Sequence, residues 1–368
     1  MPSSSLVEFL LEHNARQSEA FCSPDARLWR KQYRSRHPTE IAALKCMDGR
    51  LNLAIMSNTP PGIIQPFRNI AGKFDIGWPY FGELLEDWVN YSMSMGRDCL
   101  ILVTHHWSKG ERHRGCRGFE YDTGSAANYT HELKAQIERV FGSGHVVVYP
   151  IRLGIETDED AFVLYGNNGD YLNLAQLGQT LPEDLQLRVQ ALYPDMKPQM
   201  VNDLLPLLLG NLEHIANVRR EQRPIEEAHH QEQVLAVGRG FDWLHLPNKA
   251  LIIGPYTYDL AEPVATAAGI LLSNLQEERV PANEGFVLMT SAVYRDEAGS
   301  QRFRAIEKTL SLARFAETTI SRTVPQLRER LAILPGIVNL NTRRFTQIPF
   351  NVEPAAHHTT AVSSATAI

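Results

Sequence analysis

Four cysteines in 368 residues are too few for a disulfide scaffold, and such usage fits a reducing, cytoplasmic compartment. No uninterrupted apolar stretch reaches the roughly 18 residues that a membrane-spanning helix requires. Positive charge is not in surplus either. Lys and Arg number 36 against 42 Asp and Glu, a net charge of −6, so neither nucleic acid nor a membrane surface is expected as a partner. The first residues lack a basic start, and Glu8, Glu12 and His13 interrupt the apolar positions, so the segment does not read as a signal peptide. It reads as an amphipathic helix capped by Ser3 to Ser5, with Val7, Leu10 and Leu11 on one face. The chain is too long for one ordinary core, and two or three domains are expected.

Against that plain background one pentapeptide stands out, Cys46-Met47-Asp48-Gly49-Arg50, at the end of the apolar run 41–44. His105 closes a second strand-like run, 100–104, and Cys116 follows eleven residues later. Two thiolates and an imidazole make a three-ligand zinc set with one position left for water. Zinc brings the pKa of such a water from about 15.7 toward neutrality, which supplies a nucleophile. Asp48 can accept the hydrogen of that nucleophile and orient it. Arg50 can hold Asp48 ionised and keep it from taking the water's place. Cys22 has no such setting, and Cys99, ahead of the same apolar run, reads as a core thiol.

Strand-like and helical segments alternate along the chain. Strands are expected at 41–46, 99–104 and 145–149, with helices at 83–95, 127–141 and 199–221, and the Pro- and Gly-rich stretch 57–82 reads as irregular. The charged run 226–232, with His229 and His230, reads as a solvated connection. A second half begins near 248: strand 250–254, helix 262–275, strand 285–291 and helix 301–317 repeat the earlier order. In this pairing Cys46 falls on Gly254, Asp48 on Tyr256, Arg50 on Tyr258 and His105 on Ser291, so the second copy carries no metal chemistry. The expected organisation is a helical segment 1–36, a zinc-binding domain 37–247, a degenerate metal-free copy 248–350 and a disordered tail 351–368. The fold class is α/β, a mostly parallel sheet flanked by helices and internally duplicated.

Cys46-x-Asp48-x-Arg50, Arg68-Asn69-Ile70-Ala71-Gly72, and Val103-Thr104-His105 followed by Cys116 resemble the pattern of the β-class carbonic anhydrases. The His–Cys separation here is longer than in most of that class. In this the chain resembles the carboxysome shell carbonic anhydrase branch, as do the segments Gly154 to Asp160 and Gly240 to Leu244. The resemblance covers roughly residues 36 to 350. It implies a β-carbonic-anhydrase-like fold and one Zn2+ per chain held by Cys46, His105 and Cys116. The implied activity is reversible hydration of carbon dioxide to bicarbonate and a proton, with Asp48 and Arg50 as the catalytic dyad. His106, adjacent to the chosen ligand, is the alternative at that position, and otherwise belongs to the pocket wall. With His113 and His245 it is a candidate for proton transfer. A homodimer or higher homo-oligomer is implied as well. Gly49 stands where the class commonly has Ser and is read as structural. Only 45 residues precede Cys46, whereas packaged members carry a long N-terminal extension, so a cytosolic role is expected as readily as one among carboxysome components. Two other readings share the residues: hydrolysis of carbonyl sulfide or carbon disulfide, and a zinc-stabilised assembly protein of a carboxysome-like compartment.

Overall fold

The computed structural model describes residues 3–142, 147–178, 182–223, 229–246 and 248–350. It is an α/β protein with two mixed, mostly parallel sheets flanked by helices. The tail expected at 351–368 lies outside the described residues. Among them, no helix is long and apolar enough to cross a membrane.

The first sheet has six strands: β1 (Glu40–Cys46), β2 (Ile64–Asn69), β3 (Cys99–Trp107), β4 (Val148–Glu156), β5 (Ala161–Tyr165) and β6 (Tyr171–Asn173). Their order is β2-β1-β3-β4-β5-β6. β1 to β4 run parallel, and β5 and β6 return antiparallel. β1 and β3 carry continuous apolar runs, 41–44 and 99–103, and are buried on both faces, as central parallel strands must be. The crossovers are α4 (Pro79–Ser94), entered through Pro79, and α5 (Thr123–Phe141), whose N-cap Asp122 accepts from the Gly124 N–H. β2 falls within the stretch expected to be irregular. Its Pro66 removes a ladder donor, which an edge strand tolerates.

The second sheet comprises β7 (Val234–Gly238), β8 (Ala250–Ile253), β9 (Phe286–Tyr294), β10 (Leu331–Asn339) and β11 (Phe345–Gln347), in the order β11-β10-β9-β7-β8. It therefore starts before residue 248, with a strand in the stretch assigned from sequence to the first domain. In this order β7 takes the place that β1 has in the first sheet, and β8 takes that of the edge strand β2. By place in its sheet, the strand ending near Gly254 lies where β2 lies in the first sheet, not where β1 with Cys46 lies.

α1 (Ser3–Cys22) packs on this second sheet rather than standing apart. Its most buried stripe is Leu6, Leu10, Asn14 and Ser18, a four-residue spacing, and Val7 and Leu11 pack partly buried at its side. Leu6 and Leu10 join Phe241, Trp243 and Phe345 in one apolar cluster. Asn14 donates to the Arg343 carbonyl at 3.0 Å and accepts from the Phe345 N–H at 2.7 Å.

The two sheets meet at the pentapeptide. The Ile252 N–H donates to the Met47 carbonyl at 2.7 Å, the Gly49 N–H to the Ala250 carbonyl at 2.9 Å, and the Gly254 N–H to the Arg68 carbonyl at 2.8 Å. β8 thus backs the turn that carries Cys46, Asp48 and Arg50. The largest apolar cluster runs continuously from Ile41 and Cys46 to Leu251 and Leu271.

Candidate metal centre

Cys46, His106 and Cys116 come together in the interior, with one ligand atom of each within 4.8 Å of the others. All three are buried. Each arrives from a different local device. Cys46 ends β1. His106 lies on β3, which runs past Thr104 and pairs Thr104, His105, His106 and Trp107 with Leu153 to Glu156. Cys116 ends the long loop, with its carbonyl capped by the Phe119 and Tyr121 N–H groups.

His105 is not in this group. Because β3 continues beyond Thr104, successive side chains alternate between its faces. Leu100, Leu102 and His106 share the face toward the cluster containing Cys46 and Cys116, whereas Ile101, Val103 and His105 point the other way. His105 stacks on Trp107 with ring centroids 5.5 Å apart, and its Nε2 lies 3.5 Å from the Tyr165 hydroxyl. Burial, with His106 and Arg152 nearby, pushes its pKa down to about 3. Among the described residues it is His106, not His105, that stands with the two cysteines.

The donor set fits a metal ion. Both ring nitrogens of His106 are buried without a hydrogen-bond partner, an expensive state unless something is bound there. Cys46 is held well below the usual thiol range by a hydrogen bond from Cys116, against the opposing effect of burial; Cys116 is raised by the same bond and by burial. One proton shared between two buried sulfurs is what a cation would displace.

Asp48 and Arg50 lie beside this group. Arg50 Nε donates to both Asp48 oxygens, at 3.1 and 3.0 Å, its NH2 group to Oδ2 at 2.6 Å, and its backbone N–H to Oδ1 at 2.9 Å. Burial alone would raise the Asp48 carboxyl, but the charge and hydrogen bonds of Arg50 outweigh it and hold the group far below the carboxylate range. A depressed carboxyl stabilises the fold at every pH above its unfolded value, about 3.9, and loses that contribution as pH falls through the acid range. The stability difference between the parent and Asp48→Asn, measured by urea unfolding, should be the same at about pH 5 and pH 7 and smaller at about pH 3.

Arg50 also reaches the Arg114 carbonyl at 2.8 Å and His230 Nε2 at 3.2 Å. His230 Nδ1 is 2.6 Å from Glu232, a fully buried carboxylate that accepts from Asn274 at 2.9 Å. An Nε2 facing a guanidinium is an acceptor, so the proton resides on Nδ1. His230 is therefore no solvated linker residue. It lines a cleft of about 500 Å³ together with His113, Arg114, His229 and Arg279. No spacing could have indicated it, because it stands 180 residues from Arg50. His113 packs edge-on against Tyr121 at this cleft. His245 is elsewhere, 5.8 Å from His13 of α1, and is not part of the cleft.

Three other motif residues shape the site without chemistry of their own. Arg68 donates to the carbonyls of Asp48 at 2.7 Å, Cys46 at 3.2 Å and Leu51 at 2.9 Å, and so ties off the pentapeptide turn. Gly72 has φ +68°, and a Cβ there would lie 3.3 Å from the Cys46 nitrogen and the Thr104 carbonyl oxygen. Gly49 leaves no space for a side chain, since a Cβ there would lie 2.4 Å from the Ala250 carbonyl oxygen. Gly49→Ser should destabilise the chain by about 1–3 kcal/mol in chemical denaturation, because β8 must move to admit it.

The loop from Ser108 to Gly115 is built, not loose. Asp158 accepts from the Ser108 hydroxyl at 2.7 Å and the Gly110 N–H at 2.6 Å, and pairs with Arg114 at 3.4 Å. Lys109 pairs with Glu156 and Glu159. Two of the loop's basic side chains are thus engaged in presenting Cys116.

A scan against protein-family models and a search of curated proteins found no match to this chain.

Proposed function

We propose that this chain is a zinc-dependent catalyst of the reversible hydration of carbon dioxide to bicarbonate and a proton. The observation that carries the reading is a buried Cys46–His106–Cys116 set next to an aspartate locked by a bidentate arginine. Cys46, His106 and Cys116 would hold the metal. A bound zinc supplies Lewis acidity that makes water nucleophilic near neutral pH. Asp48, ionised throughout that range, acts as a hydrogen-bond acceptor that aims the nucleophile and does not take its proton. Arg50 fixes Asp48 in one orientation and would keep it from binding the metal. Among the described residues the metal group has three members, which leaves a position for a reactant. A purely structural zinc has no use for the dyad, and this weighs against the assembly-protein reading.

His230 stands between the dyad and the cleft, and its Nε2 takes up a released proton by giving up the contact with Arg50, then passes it to buffer in the cleft. It touches Arg50 on one side, lines the cleft on the other, and is held by Glu232. His230→Ala should lower kcat about 100-fold in weak buffer. Added imidazole should restore it, with KM for carbon dioxide unchanged. A loss that imidazole does not rescue assigns His230 to positioning Arg50 instead.

We infer further that the chain is an internal duplication on a β-carbonic-anhydrase-like plan. The first five strands of one sheet and the five of the other follow the same order. β3 and β9 each span nine residues and pair with β4 and β10 from their first residue. Ile41 pairs with Leu100 as Val234 pairs with Val287. Counted along the strands from that pair, Arg239 answers Cys46 and Val293 answers His106. The second unit holds neither ligand at these places, so one zinc per chain is expected. Metal analysis of the purified protein tests this, and two zinc ions per chain would refute it.

A further inference from the structure

The second unit places arginines where the first has its Cys46–His106–Cys116 group. Arg239 stands at the position of Cys46, and the floor beside it is Gly240 and Val293. Gly240 has φ +88° and packs closely there, since a Cβ on it would lie 2.8 Å from Val293 and 3.1 Å from Val338. The cleft holds about 370 Å³ and is lined by six arginines, Arg27, Arg30, Arg34, Arg239, Arg295 and Arg343. Its acidic lining is a single residue, Asp242, which pairs with Arg343 at 3.0 Å. Five positive charges remain without a carboxylate in the cleft.

Three of the arginines come from α2 (Pro24–Arg36), whose Ser23 cap and i, i+3, i+7 spacing set them along one side. Arg30 is held firmly. It is 9% exposed, its guanidinium lies 3.8 Å over the Phe21 ring, and its NH2 group donates to the Phe21 carbonyl at 2.7 Å. Its NH1 group is buried with no partner at all. An unsatisfied guanidinium among like charges costs stability, and an anion in the adjoining cleft lowers the charge repulsion in that cost.

We propose that this cleft binds a small phosphorylated metabolite with at least two negative charges. Guanidinium groups match phosphate oxygens in a bidentate fork, and several converging forks select a compact polyanion over a single carboxylate. The volume suits a small molecule, and the walls rise from α2, β2, the turn that follows β7, the end of β9 and the segment around Asn341. The site is independent of the zinc reading, because none of its residues touches the metal group.

The test is calorimetric titration with inorganic pyrophosphate, beside succinate and sodium chloride at matched ionic strength. Pyrophosphate should bind one per chain and more tightly than succinate. Arg239→Gln and Arg295→Gln, at half-buried and exposed positions, should each weaken it about tenfold with zinc content unchanged. If the first variant unfolds, the second alone decides. Equal affinity in the variants, equal binding of succinate, or a response that chloride reproduces would overturn the proposal.

Discussion

Replacing His106 with alanine should empty the centre, lowering zinc from about one per chain to under about a tenth, while His105→Ala should leave zinc in place. The neighbours differ by one residue and by one face of β3. His106 points at Cys46 and Cys116 and has no partner for either nitrogen. His105 points into the layer with Trp107 and Tyr165. With two thiolates left, the site falls below the three protein donors that catalytic zinc needs. His105→Ala should instead cost folding stability, since it opens a buried hole beside Trp107, on the order of 2–4 kcal/mol. Plasma emission of both variants after identical purification separates the outcomes. Loss of zinc in His105→Ala alone would overturn the ligand set.

Arg50→Ala carries the second large effect. It leaves Asp48 buried, charged and unpaired, and breaking a buried pair in this way costs about 3–5 kcal/mol. It also frees the Arg114 carbonyl and the His230 contact, so the turn and the cleft lose their shared anchor. Asp48→Asn is the milder probe. It keeps the shape and removes the charge, and hydration should fall about 100- to 1000-fold with zinc retained, the usual effect of losing one preorganised polar group. Asp48→Asn with full activity would remove the dyad from the mechanism. Arg50→Ala as stable as the parent would contradict the burial of the pair.

Much of this was legible before the fold was known. Cys46 and Cys116 stood out because thiols are few, and Asp48 and Arg50 because they share a pentapeptide with one of them. The apolar runs located β1 and β3, and period-3.6 patterns located α4, α5 and α8 (Ala261–Gln276) to within a few residues. The misplacements have physical causes. Two polar residues at the end of an apolar run look like a strand terminus, yet β3 continues through them because β4 pairs with it as far as Trp107. That extension fixes which histidine faces the sulfurs. β2 was hidden by Pro66 at a sheet edge. β7 was hidden by its brevity behind a charged connection, and missing it shifted the comparison of the halves by one strand. His230 and Arg239 were beyond sequence reasoning altogether, because tertiary folding alone brings one to Arg50 and the other to α2.

The most direct measurement is stopped-flow hydration of carbon dioxide at pH 8 by the zinc-loaded chain, with the His106→Ala protein at the same concentration as its reference. The rate should scale with zinc content and fall to that of the buffer in the reference. A chain holding one zinc, folded, with its dyad intact, that hydrates carbon dioxide no faster than buffer would contradict the proposed function.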